Sequence, residues 1–484
     1  MTLLDALTIL PVILLIVWAM VVLLADLWIP KGKKGWTAIL AALGIIAAAV
    51  LTLLQANKPQ TGFGGMIEVD GFAVFLNVIF LGSGLAGVAI AWHYLKRLAI
   101  DRGEYFVLMM FSIAGAMLLS YAGDLIIIFL GIELLSIPLY VLAGFAHPQV
   151  ASEEASLKYF LLGTFATAFV LFGIAWMFGA SGTTGIREIM SGVTADSLAP
   201  MRTLMLLAGA GFLVAGLGFK VAAVPFHAWT PDVYHGAPAP VTGFMSVVAK
   251  AAGFAALMRV LFIALPSLSL QLTPILWVLA VLTMVVGNVV AIAQNNLKRM
   301  LSYSAIANAG YLLMVLVTYS NEAVRADSVS SMLFYLLAYA FSSLGVWAVI
   351  TMMEKAELQG VEFTDLAGLG KKSPLVAIAI TVMMLSFTGV PLTLGFWGKF
   401  YLFRTAIEGG FIWLAVVGLL TSLVSAYYYL RVVVMMFFRE GTPDLQYNFW
   451  PAFVLFFTTL CVLVLSFFPG VMFGLASQAT LLLK

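Results

Sequence analysis

Residues 216–250 read GLGFKVAAVPFHAWTPDVYHGAPAPVTGFMSVVAK, a proline-rich, polar passage inside a strongly apolar chain. Two lysines, Lys220 and Lys250, sit in segments hydrophobic enough to span a bilayer. Between them lie Pro225, Pro231, Pro238 and Pro240, with His227, Asp232 and His235. Proline lacks a backbone donor and clashes with the preceding turn, so a helix entering at Gly216 breaks near Pro225. Broken helices and charges at membrane depth are costly and mark ion paths.

The surroundings of this passage are those of a bilayer. The 484 residues are 63% hydrophobic and 10% charged, against about 25% charged in a soluble domain. Mean hydropathy is +1.09. The fold class is therefore an all-α polytopic membrane protein, and the length does not translate into soluble domains. The N-terminal MTLLDALTILPVILL has no basic leader and no small-residue cleavage site, so it reads as a first span. The single cysteine, Cys461, excludes a disulfide within the chain and an iron–sulfur ligand set. No Walker loop and no glycine-rich dinucleotide turn occur, and no His/Cys/Asp cluster has metal spacing. His93, His147, His227 and His235 do not sit on pairs of helices at one depth, as haem ligation needs. The expectation is no cofactor-binding residue, no metal ligand and no nucleic-acid partner.

At about 20 apolar residues per span, the chain holds about fourteen. They lie at about 5–28, 35–55, 72–94, 105–121, 124–145, 156–179, 202–222, 240–263, 273–293, 298–318, 329–353, 374–404, 411–437 and 450–470. The seventh continues past its break as a piece at about 227–235. The twelfth contains Gly389-Val390-Pro391 and Gly395 and is expected to break as well.

The two broken spans belong to a faint repeat. Val224-Pro225 corresponds to Val390-Pro391, Lys158-Tyr159-Phe160 to Phe334-Tyr335-Leu336, and Met258-Arg259-Val260 to Leu430-Arg431-Val432. The offsets are 166, 176 and 172 residues, five spans in each case. An odd-numbered unit repeated once inserts with opposite topology, the inverted-repeat plan of many transporters. The expected organisation is one membrane domain over 1–484, divided into four parts. Spans one to three occupy 1–95, a first repeat 104–265, a second repeat 270–438, and a last span with its tail 449–484.

Lys/Arg bias gives the orientation. With the N-terminus outside, the cytoplasmic loops carry Lys31, Lys33, Lys34, Lys96, Arg97, Arg102, Lys298, Arg299, Lys355, Lys371, Lys372 and Arg439. The outer side carries Lys58, Arg187, Arg202, Arg325, Arg404 and Lys484. Both termini are therefore expected on the outer side.

Glu133, in IIIFLGIELLSIPLYVL, is the only acidic residue read as lying deep within a span. Burial favours a neutral lysine and a nearby glutamate a charged one, so a Glu133–Lys220 pair would act as a switch. The bland alternative is a static ion pair that fixes helix packing. Lys250 has roughly ten apolar residues on either side, too many for its head to snorkel to the interface. Lys399 follows Gly395-Phe396-Trp397-Gly398 after the second break; an interfacial anchor is the alternative reading, since Arg404 and Glu408 follow closely. His227, just past the first break, suits a proton relay or a helix cap. Lys158 either tunes the Glu133–Lys220 pair or marks the interface beside Glu153 and Glu154.

The opening passage, with PFHAWTPD and GAPAPV inside it, closely resembles the signature of one family. These are the antiporter-like membrane subunits of respiratory complex I and of Mrp-type cation/proton antiporters. The strings FLGIELLSIPLYVLAGF, EASLKYFLLG, NLKRMLSYSAIANAGYLL and MMLSFTGVPLTLGFWGKFYLF extend the resemblance over almost the whole chain. It implies a proton-translocating membrane subunit of the proton-pumping NADH:quinone oxidoreductase. The channel would have two halves, with Glu133 and Lys220 as the pair, Lys250 as the central link and Lys399 as the exit. NADH, FMN, iron–sulfur clusters and quinone would belong to other subunits, leaving no redox site in this chain. Partners would be a neighbouring antiporter-like subunit, small membrane subunits, lipid and the proton, in a bacterial inner membrane. An Mrp-type Na⁺/H⁺ antiporter subunit and a non-conducting structural subunit are the competing expectations.

Overall fold

The computed structural model describes residues 3–194, 200–479 and 481; Lys484, counted above on the outer side, lies outside them. Helices α1 (Leu3–Thr8), α2 (Leu10–Asp26), α3 (Gly35–Leu54), α4 (Gly71–Arg97), α5 (Glu104–Tyr121), α6 (Leu125–Ala143) and α7 (Val150–Ser181) come first. They are followed by α8 (Ile186–Thr194), α9 (Pro200–Val221), α10 (Trp229–Gly236), α11 (Ala239–Met258), α12 (Ser269–Ile292), α13 (Leu297–Val317) and α14 (Arg325–Met353). The last are α15 (Leu369–Lys372), α16 (Pro374–Thr388), α17 (Leu394–Glu408), α18 (Ile412–Phe438), α19 (Phe449–Val464) and α20 (Pro469–Gln478). One antiparallel hairpin, β1 (Gln60–Gly62) with β2 (Ile67–Val69), precedes α4. Among the described residues, 12 helical segments are long and apolar enough to cross a membrane; α2 and α16 are apolar but shorter.

Every residue of α11 is buried, because α4, α5, α6, α9, α13 and α14 surround it. In lipid there is no hydrophobic drive between apolar helices, so close approach depends on small residues. At Gly115 an added Cβ would strike the backbone of Leu134 and Leu135, so α5 and α6 touch main chain to main chain. Gly173 of α7 and Gly209 of α9 do the same for that pair. Replacing Gly115 with leucine is expected to push α5 from α6 and destabilise the chain by about 1–3 kcal/mol, the usual range for overpacking. Thermal unfolding of the purified complex measures it, and an unchanged midpoint would contradict this contact.

Both helix breaks free backbone groups that side chains then satisfy, as an apolar medium demands. Between α9 and α10 the Val224 amide donates to Thr283 Oγ1 at 2.9 Å, and the Trp229 indole donates to the Phe219 carbonyl at 2.9 Å. Between α16 and α17, Gly389 takes φ +86°, a left-handed conformation that glycine adopts without strain. Lys399 Nζ donates to the freed Thr388 carbonyl at 3.0 Å, and Ser466 Oγ donates to Leu392 at 3.0 Å.

The side chains at the helix ends depart from the loop reading. Lys298 is not a solvated loop cation. The first turn of α13 points into the bundle, and Lys298 is completely buried against Glu354, which follows α14, at 2.5 Å. Tyr94 donates to the same carboxylate at 2.5 Å, and so does the Ala239 amide at 2.9 Å. At the opposite end, α11 runs on as a π-helical turn, Arg259–Ala264. Arg259 is fully buried and donates to Glu68 at 3.1 Å, Asp70 at 2.9 Å and the Ser120 carbonyl at 2.8 Å. Glu133 is half-buried within α6, whereas Glu68, Asp70 and Glu354, beyond the ends of helices and not within them, are buried.

Candidate functional site

Lys220 lies in the last turn of α9 at the first break and is buried, with no hydrogen-bond partner for Nζ among the described residues. The ammonium faces two aromatic rings, Tyr159 at 5.3 Å and Tyr140 at 5.7 Å. Such faces attract a cation through the ring quadrupole, more so where water is excluded. Tyr159 stacks on Trp229 at 4.7 Å, and Trp229 holds the broken turn, so the cage and the break form one unit. Glu133 makes no ion pair with Lys220. The structure therefore separates the expected pair and puts Tyr140 and Tyr159 around the lysine. Tyr140 lies seven positions after Glu133 on the same helix face, and Tyr159 adjoins Lys158. Those spacings were the available signals, but an aromatic in a span ordinarily reads as packing.

Lys250 lies in the fully buried α11 and donates to the Ala305 carbonyl of α13. No carboxylate pairs with it among the described residues. Lys399, in α17, is buried and is no interfacial anchor in this structure. Besides Thr388 it donates to Ser422 Oγ at 2.7 Å, and it lies 4.7 Å from the Tyr311 ring. Arg404 and Glu408, beyond it, pair with each other on the exposed side at 2.8 Å.

Polar side chains occupy the space between Lys250 and Lys399. Ser304, next to Ala305, bonds Tyr429 at 2.5 Å. The ring of Tyr428 adjoins that of Tyr429 at 4.4 Å, and its hydroxyl donates to Asn288 at 2.9 Å. Asn288 donates in turn to the Tyr311 hydroxyl at 3.3 Å, bringing the series to the ring that faces Lys399. Tyr335 joins from α14 through Asn308 at 2.5 Å. These residues come from α12, α13, α14 and α18, and nothing local in the sequence connects them.

His227 makes no hydrogen bond to Lys220 or Lys250, and its Nδ1 has no partner among the described residues. Lys158 bonds Asp232 at 2.7 Å and Glu154 at 2.6 Å, and Asp232 also takes Arg299 at 2.9 Å. This cluster sits at the rim of a cavity of about 240 Å³ that also contains His235. Among the described residues no group of three or more His, Cys, Asp or Glu side chains could hold a metal ion.

The family described as "NADH:quinone oxidoreductase/Mrp antiporter, TM" matches residues 122–425, which include both breaks and Lys220, Lys250 and Lys399. The NADH-quinone oxidoreductase subunit N of Trichlorobacter lovleyi is 44% identical over 439 residues, 91% of this chain and 89% of that protein. The chain belongs to the NADH-quinone oxidoreductase subunit N family. A solved chain of the respiratory complex I of Thermus thermophilus with bound aureothin is 33% identical, with a TM-score of 0.82 over 96% of this chain and 99% of that one. A chain of the Mrp complex of Dietzia sp. has a TM-score of 0.86 over 99% of this chain and 97% of its own at 20% identity. That likeness is one of fold alone.

Proposed function

We propose that this chain carries protons across a bacterial membrane through Lys220, Lys250 and Lys399, with Glu133 as the acid that sets the charge of Lys220. It is a membrane subunit of NADH-quinone oxidoreductase, in the membrane arm of respiratory complex I. NADH, FMN, iron–sulfur clusters and quinone belong to other subunits in this reading. Its neighbours are a second antiporter-like subunit and small membrane subunits.

One observation carries the proposal. Lys220, Lys250 and Lys399 are buried in apolar helices, none with a carboxylate in an ion pair among the described residues, and hydroxyl and amide groups lie between the last two. A static structural lysine at this depth would be expected to have a paired counterion, as Lys298 has in Glu354. A lysine held by a carbonyl or an aromatic ring instead has two protonation states that a nearby charge can rebalance. Glu133 is half-buried on α6, and in this reading the driving charge arrives beside it on a neighbouring subunit. When that charge draws on Glu133, Lys220 loses its electrostatic support and yields its proton towards Lys250. From there the Ser304, Tyr429, Tyr428, Asn288 and Tyr311 groups lead to Lys399, which releases it. His227 and Lys158 take lesser parts: His227 lines the broken turn, and Lys158 holds Asp232 and Glu154 at the cytoplasmic rim.

The architecture proposed with this path has fourteen spans, counting α2 and the broken α16–α17 unit. Spans one to three occupy 1–95, two inverted five-span repeats 104–265 and 270–438, and a last span 449–484. Both termini face the periplasm. Support comes from Val224-Pro225 and Val390-Pro391, which occupy the two breaks at equivalent points.

Replacing Tyr429 with phenylalanine tests the path between the lysines. It removes the hydroxyl bonded to Ser304 and keeps the ring that stacks on Phe387 at 5.5 Å. Proton transport by the reconstituted complex is expected to slow several-fold while assembly stays normal. Unchanged transport would route the proton elsewhere.

A further inference from the structure

A trough of about 680 Å³ runs along the outside of the bundle between α3, α4, α14 and α19. Ile39, Leu43, Val78, Phe341, Phe453 and Phe457 give its wall an almost wholly apolar face. Exposed apolar surface of this extent on a membrane helix bundle is covered by lipid tails or by another helix. At its basic-loop end the trough opens into a second cavity of about 440 Å³, and Ala38, Ile39 and Trp92 line both. The mouth is different in chemistry. Lys33, Lys34 and Lys96 line it with one acid, Asp101. Lys34 is already paired with Asp26 at 2.5 Å, whereas Lys33 and Lys96 have no ion pair among the described residues. Trp36 stands exposed beside them, and Trp92 packs on Trp450 at 6.2 Å. Tryptophan and lysine at one level mark the headgroup region of a bilayer.

We propose that this continuous groove is a binding site for an anionic phospholipid. The phosphate sits at Lys33 and Lys96 between the indoles of Trp36 and Trp92, and the acyl chains lie in the trough. Charge decides between occupants. A neighbouring apolar helix would fill the trough but would leave two unpaired lysines at its end, whereas an anionic headgroup over acyl chains matches both halves. Gly82 supplies the means of testing it: it lines the trough, and a Cβ added there meets no atom within 4 Å. A large side chain at this position enters the groove without disturbing the helices.

The assembled complex is stripped with detergent and exposed to equal amounts of phosphatidylglycerol and phosphatidylcholine of the same acyl chains. Mass spectrometry then counts what is retained. The wild-type complex is expected to hold at least one phosphatidylglycerol that Gly82→Phe loses. Lys33→Gln with Lys96→Gln, both at the surface and outside the packed bundle, lowers the preference for phosphatidylglycerol roughly 25-fold, about fivefold per lysine near an anionic lipid. Equal retention by all three proteins would overturn the proposal. So would efficient crosslinking of Gly82→Cys to a neighbouring protein in native membranes, which would assign the trough to a helix.

Discussion

Replacing Lys250 with methionine is expected to reduce proton transport through this chain at least tenfold while the complex still assembles. Methionine fills the same space in α11, which tolerates no polar orphan. What disappears is the group that carries the proton between the two halves. A proton crossing that stretch would then travel without a fixed carrier. An unsupported charge at the bilayer centre costs about 2.5–3.5 kcal/mol on insertion scales, a factor of roughly 70–400 in rate. Replacing Lys250 with arginine sharpens the result. Arginine keeps the charge but does not release its proton in a protein. Both variants are expected to fail in NADH-driven acidification of vesicles containing the complex. Restoration by arginine would mean that Lys250 serves only as a fixed charge.

The second large effect is on stability and not on transport. Replacing Arg259 with methionine leaves Glu68 and Asp70 buried beside each other without the guanidinium that bridges them. Removing one side of a buried ion cluster costs about 3–5 kcal/mol, because the remaining charge has no water to turn to. Here the cluster fastens the β1–β2 hairpin to the π-helical end of α11, so the loss is expected to lower assembly as well. Arg187 still reaches Glu68 from α8 and limits the damage on that side. Thermal unfolding and the yield of assembled complex measure it. A change below about 1 kcal/mol would mean that the hairpin is held by packing and not by this cluster.

The sequence was most legible along the chain and least legible across it. Hydropathy and proline position located α9, the break after Val221, and the break between Thr388 and Leu394 to within a few residues. They did so because the rules are local: a span needs length, and proline removes a donor where it stands. Lys220, Lys250 and Lys399 stood out for the same reason, as charges in runs with no other polar group. What surrounds them did not. Tyr140, Tyr159, Asn288, Tyr428 and Tyr429 come from separate helices, and only the rotation of each helix about its axis decides which of them meet. An apolar-all-round helix carries no moment that reports this rotation. Lys298 was misread for a related reason. It lies at a helix end, where hydropathy predicts water, yet neighbouring helices extend past it and bury it against Glu354.

The claim that this chain conducts protons, and is not merely a spacer in the membrane arm, has one direct test. The protons moved per NADH oxidised are measured in vesicles for the intact complex and for one carrying Glu133→Gln, Lys220→Met, Lys250→Met and Lys399→Met together. Assembly is verified in both. The account predicts that the altered complex either moves fewer protons per NADH or oxidises NADH many-fold more slowly under coupled conditions. An unchanged ratio at an unchanged rate would contradict it and leave the buried lysines a structural role.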